Sequence, residues 1–161
     1  MTLSPLPPQS RNDVLLTADT LDFARVINQT RDPAAGAVGS FLGTTRDVFN
    51  GQPVEKLEYE AYVPMATKQL HAIIAEARQQ WPLHHVSIAH RLGDCPVGEI
   101  SVVIAVSSAH RQAALHAVEF LIQRLKETVP IWKKEVLGNG TGAWKENLEA
   151  LAHRHHTPSS C

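Results

Sequence analysis

Thr128-Val129-Pro130-Ile131-Trp132-Lys133-Lys134-Glu135 is the stretch on which the reading of the fold turns. Upstream of it runs a long helical pattern, with Ala114, Ala117, Val118, Leu121, Ile122 and Leu125 on one apolar stripe. Proline has no backbone N–H and its ring clashes with the turn before it, so the helix has to stop ahead of Pro130. Ile131 to Leu137 then reads as a short strand. Lys126 falls in the last helical turn, where the helix dipole favours a cation. Lys133 falls on the strand just past the corner. Neighbouring strand residues point to opposite faces, so at most one of Lys133 and Lys134 enters a given pocket. Two ammonium groups at one corner make a candidate anion site.

Working outward, Ala109 to Thr128 is the helix itself, with Ser107-Ser108 as its expected hydroxyl cap. Ile100 to Val106 is strongly apolar and is expected to be a central strand, and Val86 to Leu92 a second, with Gly93-Asp94 as the turn between them. Pro64 to Gln80 has helical spacing at Ala66, Leu70, Ile73, Ile74 and Ala77, closed by Trp81-Pro82. Val54 to Tyr62 alternates as a strand does, imperfectly around Lys56, which suggests a bulge. Asn50-Gly51 is a reverse-turn signal, and Ala37 to Thr45 reads as another strand. Asp19 to Asn28 carries a weak helical pattern. Trp144 to Asn147 starts a last short element. The order, roughly α-β-β-α-β-β-α-β, predicts an α+β fold with a mostly antiparallel sheet and two long helices in a single domain. Residues 1–12 are expected to be a flexible N-terminal arm, 13–150 the single α+β domain and 151–161 a flexible tail.

Composition narrows the function. Of 161 residues 43% are hydrophobic and 19% charged, and the net charge is −1. No global field therefore favours nucleic acid or a membrane surface, and any anion site is local. The apolar runs are too short to span a bilayer. Met1 to Pro8 has no basic region followed by an apolar core, so it does not read as a signal peptide; a cytoplasmic location is expected. The two cysteines, Cys95 and Cys161, do not make a disulfide framework, and nothing in the sequence puts an activating neighbour beside Cys95.

Several groups carry possible chemistry. His110 and Arg111 fall in the first turn of the long helix, where free N–H groups and the dipole favour an anion. A surface salt bridge is the plainer use of Arg111, but arginine opposes the dipole there, so local stability does not account for it. Arg46 follows the strand that holds Phe41 and Gly43, and Gly43 permits close approach of a backbone or ligand. His90-Arg91 lies inside an apolar strand and reads as a structural, partly buried pair. His84-His85 diverge, His153, His155 and His156 cluster in the tail, and no Cys/His pair has structural-zinc spacing. There is no Walker loop and no dinucleotide-binding glycine pattern. No metal or cofactor is expected.

Taken together and in order, these residues resemble a known family. The carrying segments are Gly36-Ala-Val, Phe41-Leu-Gly-Thr-Thr-Arg46, Leu57-Glu-Tyr-Glu-Ala-Tyr62, His90-Arg-Leu-Gly93, Ser107-Ser-Ala-His-Arg111, Leu125-Lys126 and Pro130-Ile-Trp-Lys-Lys-Glu135, with Trp144. Over roughly residues 36–147 the chain is similar to the large, catalytic subunits of molybdopterin synthase. The resemblance implies a hammerhead-type α+β fold. It implies a sulfurtransferase that takes sulfur from the thiocarboxylated Gly-Gly C-terminus of a small ubiquitin-like subunit. The acceptor is cyclic pyranopterin monophosphate and the product the molybdopterin dithiolene. It implies a homodimer flanked by two small subunits, a heterotetramer. By the same resemblance Lys126 and Lys133 are the catalytic positions, and Arg46, His110, Arg111 and Phe41 bind substrate. His110 and Arg111 are left open between the chain's own pocket and a neighbouring subunit's. The alternative is a non-catalytic module that binds a phosphorylated metabolite with the same basic residues.

Overall fold

The computed structural model of the protein describes residues 10–145. In chain order its elements are β1 (Arg11–Thr17), α1 (Phe23–Thr30), β2 (Ala37–Thr44), β3 (Val48–Phe49), β4 (Gln52–Ala61), α2 (Val63–Gln80), β5 (His85–Arg91), β6 (Gly93–Pro96), β7 (Ile100–Ser108), α3 (Arg111–Thr128), β8 (Ile131–Leu137) and β9 (Trp144–Lys145). The fold is α+β, and every strand pair is antiparallel except β1 with β5.

One sheet has the order β1-β5-β7-β2. Its interior strand β7 is buried on both faces, which is why its sequence is apolar without alternation. Val102, Ile104 and Val106 join Val86 and Ile88 in a core with α2 and α3. Val103 and Ala105 turn the other way, toward Leu21 and Val26 beside α1. The second sheet has the order β3-β4-β8-β9, with β6 also paired to β4. Asn50 and Gly51, at φ 49° and 75°, make the tight turn between β3 and β4, and the ladder from β4 to β8 shifts register between Val54 and Lys56, at the expected bulge.

Four expectations are corrected. The flexible arm was to reach residue 12, but β1 begins at Arg11, so Arg11 and Asn12 pair with His85 and Val86. Only Val14 to Leu16 is apolar there, and a parallel partner more than 70 residues away leaves no local signature. Gly93-Asp94 is part of β6, paired with Tyr59 and Glu58. The weak helical pattern settles two to four residues later, as Phe23–Thr30, because Asp22 accepts from Arg25 N–H at 3.0 Å and caps it. Ser107 and Ser108 do not cap α3. They end β7, where Ser107 Oγ accepts from His85 N–H at 3.0 Å and Ser108 Oγ donates to the Pro82 carbonyl at 2.7 Å. His110 is the N-cap, without a side-chain bond. Residues 146–161, with the tail histidines, lie outside the described residues.

Candidate active site

Pro130 builds the site. The Val129 N–H closes α3 on the Leu125 carbonyl at 3.0 Å, and the chain leaves in extended conformation to enter β8 at once. Lys126 therefore stands in the last turn beside the first residues of β8. Alternation along β8 turns Ile131, Lys133 and Glu135 into a cavity of about 460 Å³. Lys134 faces the other way, 3.6 Å from Glu58 and over the Trp144 ring at 5.7 Å from its centroid. Across the ladder Lys133 stands opposite Tyr59, which also lines the cavity. From the first sheet come Phe41 and, just past its strand, Arg46, with His90 and Ser101 alongside. The cavity thus joins the two sheets to the C-terminal end of α3.

Among the described residues its lining carries three cations, Arg46, Lys126 and Lys133, against one carboxylate, Glu135. Glu135 is buried. A concave, partly apolar wall with an excess of two positive charges suits an anionic ligand with a flat or aliphatic body. Burial pushes the Tyr59 phenol above its usual range, with Ser101 opposing through a hydrogen bond. Burial pushes His90 down to about 4, only partly offset by its bond to the Arg91 carbonyl. Both side chains are therefore neutral at physiological pH.

Four of the six residues expected at the site, Phe41, Arg46, Lys126 and Lys133, line one cavity. His110 and Arg111 do not. They are exposed at the opposite end of α3. From Arg111 to Lys126 the helix advances 15 residues, or about 22 Å at 1.5 Å each. The sequence reading missed Tyr59, His90 and Glu135. For Tyr59 and Glu135 the signal was present: each shares a strand face with a residue already suspected or apolar, Tyr59 with Leu57 and Glu135 with Lys133. His90 gave none, since a histidine in an apolar strand reads as core. Cys95 is fully buried and outside the lining. His85 Nε2 sits 2.9 Å from Asp32, and among the described residues no group of three or more His, Cys, Asp or Glu could hold a metal. No described helix is long and apolar enough to cross a membrane.

Comparison with known proteins supplies what geometry cannot. The sequence profile of the MoaE protein family matches residues 16–128. A molybdopterin synthase catalytic subunit from Arabidopsis thaliana is 51% identical over 142 residues, which cover 88% of this chain and 71% of that protein. The crystal structure of molybdopterin synthase from Staphylococcus aureus aligns with a TM-score of 0.77 at 40% identity, covering 81% of this chain and 95% of that one. A chain from a complex of subunits 1 and 2 of molybdopterin-converting factor from Helicobacter pylori aligns with a TM-score of 0.66, over 84% of this chain and 90% of that one. At 22% identity that last likeness is one of fold.

Proposed function

The chain belongs to the MoaE family of molybdopterin synthase catalytic subunits, and on that premise we propose that it moves sulfur from a small partner's thiocarboxylated C-terminus onto cyclic pyranopterin monophosphate, forming the molybdopterin dithiolene. The observation that carries the reading is the convergence of Arg46, Lys126 and Lys133, far apart in sequence, on one cavity. Both reactants are anions, one a cyclic phosphate and the other a thiocarboxylate, and both suit that lining.

The mechanism follows from charge. The thiocarboxylate sulfur attacks a side-chain carbon of the pterin and displaces the oxygen it carries, which leaves with a proton. The partner is then joined as a thioester, and negative charge builds on its terminal carbonyl oxygen when water adds to that carbonyl carbon. Lys126, at the helix end, stabilises that oxygen. Lys133 acts as proton donor or electrostatic clamp on the pterin. Arg46 offers a planar fork to the phosphate, and Phe41 gives the pterin an aromatic wall. Fixed donors of this kind are each worth on the order of 10²–10³ in rate.

The assembly in this reading is a homodimer flanked by two small ubiquitin-like subunits, working in the cytoplasm. His110 and Arg111 then serve the pocket of the second copy. Their separation from Lys126 along α3 supports that assignment, since they are too distant to share a small ligand with it.

The test is conversion of the pterin precursor by this chain with a thiocarboxylated Gly-Gly-ending partner, followed by mass spectrometry. The expected result is a product that has gained two sulfur atoms in place of side-chain oxygen, lost in Lys126→Ala with the dimer intact. Binding of the precursor without sulfur transfer would overturn the reading in favour of a phosphorylated-metabolite-binding module.

A further inference from the structure

Sulfur transfer from a thiocarboxylate ends in a hydrolysis. Once the sulfur has bonded to the pterin, the partner's terminal carbonyl carbon remains attached through it as a thioester. Water must add to that carbon and the acyl C–S bond must break. The partner leaves as a carboxylate, the sulfur stays on the pterin as a thiol, and one proton is released. The attacking water needs a base. Lysine and arginine side chains in their charged forms are donors only, and Glu135 has interactions of its own.

We propose that His90 is that base, its Nε2 taking the proton from the hydrolytic water and passing it to the departing sulfur. The proposal rests on the sulfur-transfer function given above.

Among the described residues His90 is the one histidine in the cavity lining. Its Nδ1 lies 2.8 Å from the Arg91 carbonyl oxygen. A carbonyl oxygen only accepts, so Nδ1 carries the hydrogen and Nε2 bears the lone pair. The tautomer is thus assigned by the backbone, independently of any ligand. Nε2 has no hydrogen-bond partner among the described residues, yet it is not sealed. The one side-chain polar atom among them that is both sealed and unpartnered is Arg91 Nε. The residual exposure of His90 therefore includes Nε2, and His90 is one of the residues that line the cavity. The ring is held in place by Tyr59, packed edge-on with centroids 4.9 Å apart at 76°. Burial keeps the ring neutral well into acid solution. The charged or titratable groups that share the cavity with it are Tyr59 from β4, Lys133 and Glu135 from β8, Lys126 from α3 and Arg46 after β2.

A purely structural histidine would use only Nδ1. His90→Asn separates the two roles, because the asparagine amide can replace the Nδ1 donor but has nothing at the position of Nε2. In single-turnover reactions of the full assembly, quenched and read by intact-protein mass, the variant should still form the covalent partner–pterin thioester. It should hydrolyse it about 10²-fold more slowly, so that the adduct accumulates. A second measurement needs no variant: hydrolysis of the adduct by the wild-type protein should run slower in D2O than in water, because a proton of the attacking water is in transfer, whereas formation of the adduct should not. His90→Asn that hydrolyses the adduct at the wild-type rate, or wild-type hydrolysis no slower in D2O than in water, overturns the assignment. Wild-type protein that forms neither adduct nor product overturns the sulfur-transfer function itself, and the proposal with it.

Discussion

At the scale of single residues, position on a strand face decides what a lysine does. Lys133 and Lys134 are neighbours of the same type, but only Lys133 faces the cavity. Lys133→Ala should therefore lower pterin conversion by about 10²–10³-fold. Lys134→Ala, which removes a partly exposed pairing with Glu58, should leave conversion within a few-fold of wild type in the same assay. His90 makes a separate prediction about stability. Its folded pKa of about 4 lies below the value near 6.5 of an unfolded histidine. Between those values the unfolded chain binds more protons than the native one, so stability rises with pH. His90's contribution is complete above about pH 6.5 and is lost as pH falls toward 4, amounting to about 3 kcal/mol across the window. Urea midpoints measured from pH 7 down to 4 should fall steeply in the wild type and less steeply in His90→Asn. Equal slopes would show that another group dominates.

At the scale of elements, the cavity wall depends on how closely β2 lies on α3. A Cβ built on Gly39 would stand 3.1 Å from the carbonyl carbon and oxygen of Ala114 and 3.3 Å from the Leu115 nitrogen. These are helix backbone atoms, which cannot move aside singly. Gly39→Val should push β2 off the helix at a cost of about 1–3 kcal/mol, read as a lower denaturant midpoint with unchanged slope. Because Phe41 lies two residues along the same strand face, conversion should fall too, through a higher KM. A variant as stable as the wild type would mean that β2 has room to shift. Elements of this kind were largely legible in the chain. Two 18-residue helices, the bulge near Lys56 and the Asn50-Gly51 turn all rest on local periodicity or turn chemistry. The start of α3 was not legible. Ser107 and Ser108 are good caps in isolation, but β7 claims both for bonds to His85 and Pro82.

At the scale of the whole molecule, the distance of about 22 Å between the ends of α3 sets the role of symmetry. If His110 and Arg111 act in the second copy's pocket, chains carrying Lys126→Ala and chains carrying Arg111→Ala, each inactive alone, should complement when mixed. In the hybrid dimer one pocket then collects both changes and the other collects neither. Random mixing should restore roughly a quarter of the wild-type rate. If all these residues acted within one chain, every pocket would stay damaged and mixing would restore nothing. The sequence by itself determined the helices, most strands and the corner at Pro130, because each is dictated by residues within a few positions of one another. It also carried the family likeness, since that lies in ordered motifs. Only the tertiary structure decided that Arg46, Lys126 and Lys133 share a cavity, that Arg111 stands far from them, that residues 11–17 pair with β5 and that His90 opens onto the cavity. Each of these depends on contacts between residues tens of positions apart, and periodicity along the chain carries no record of which strand or helix face a distant segment will meet.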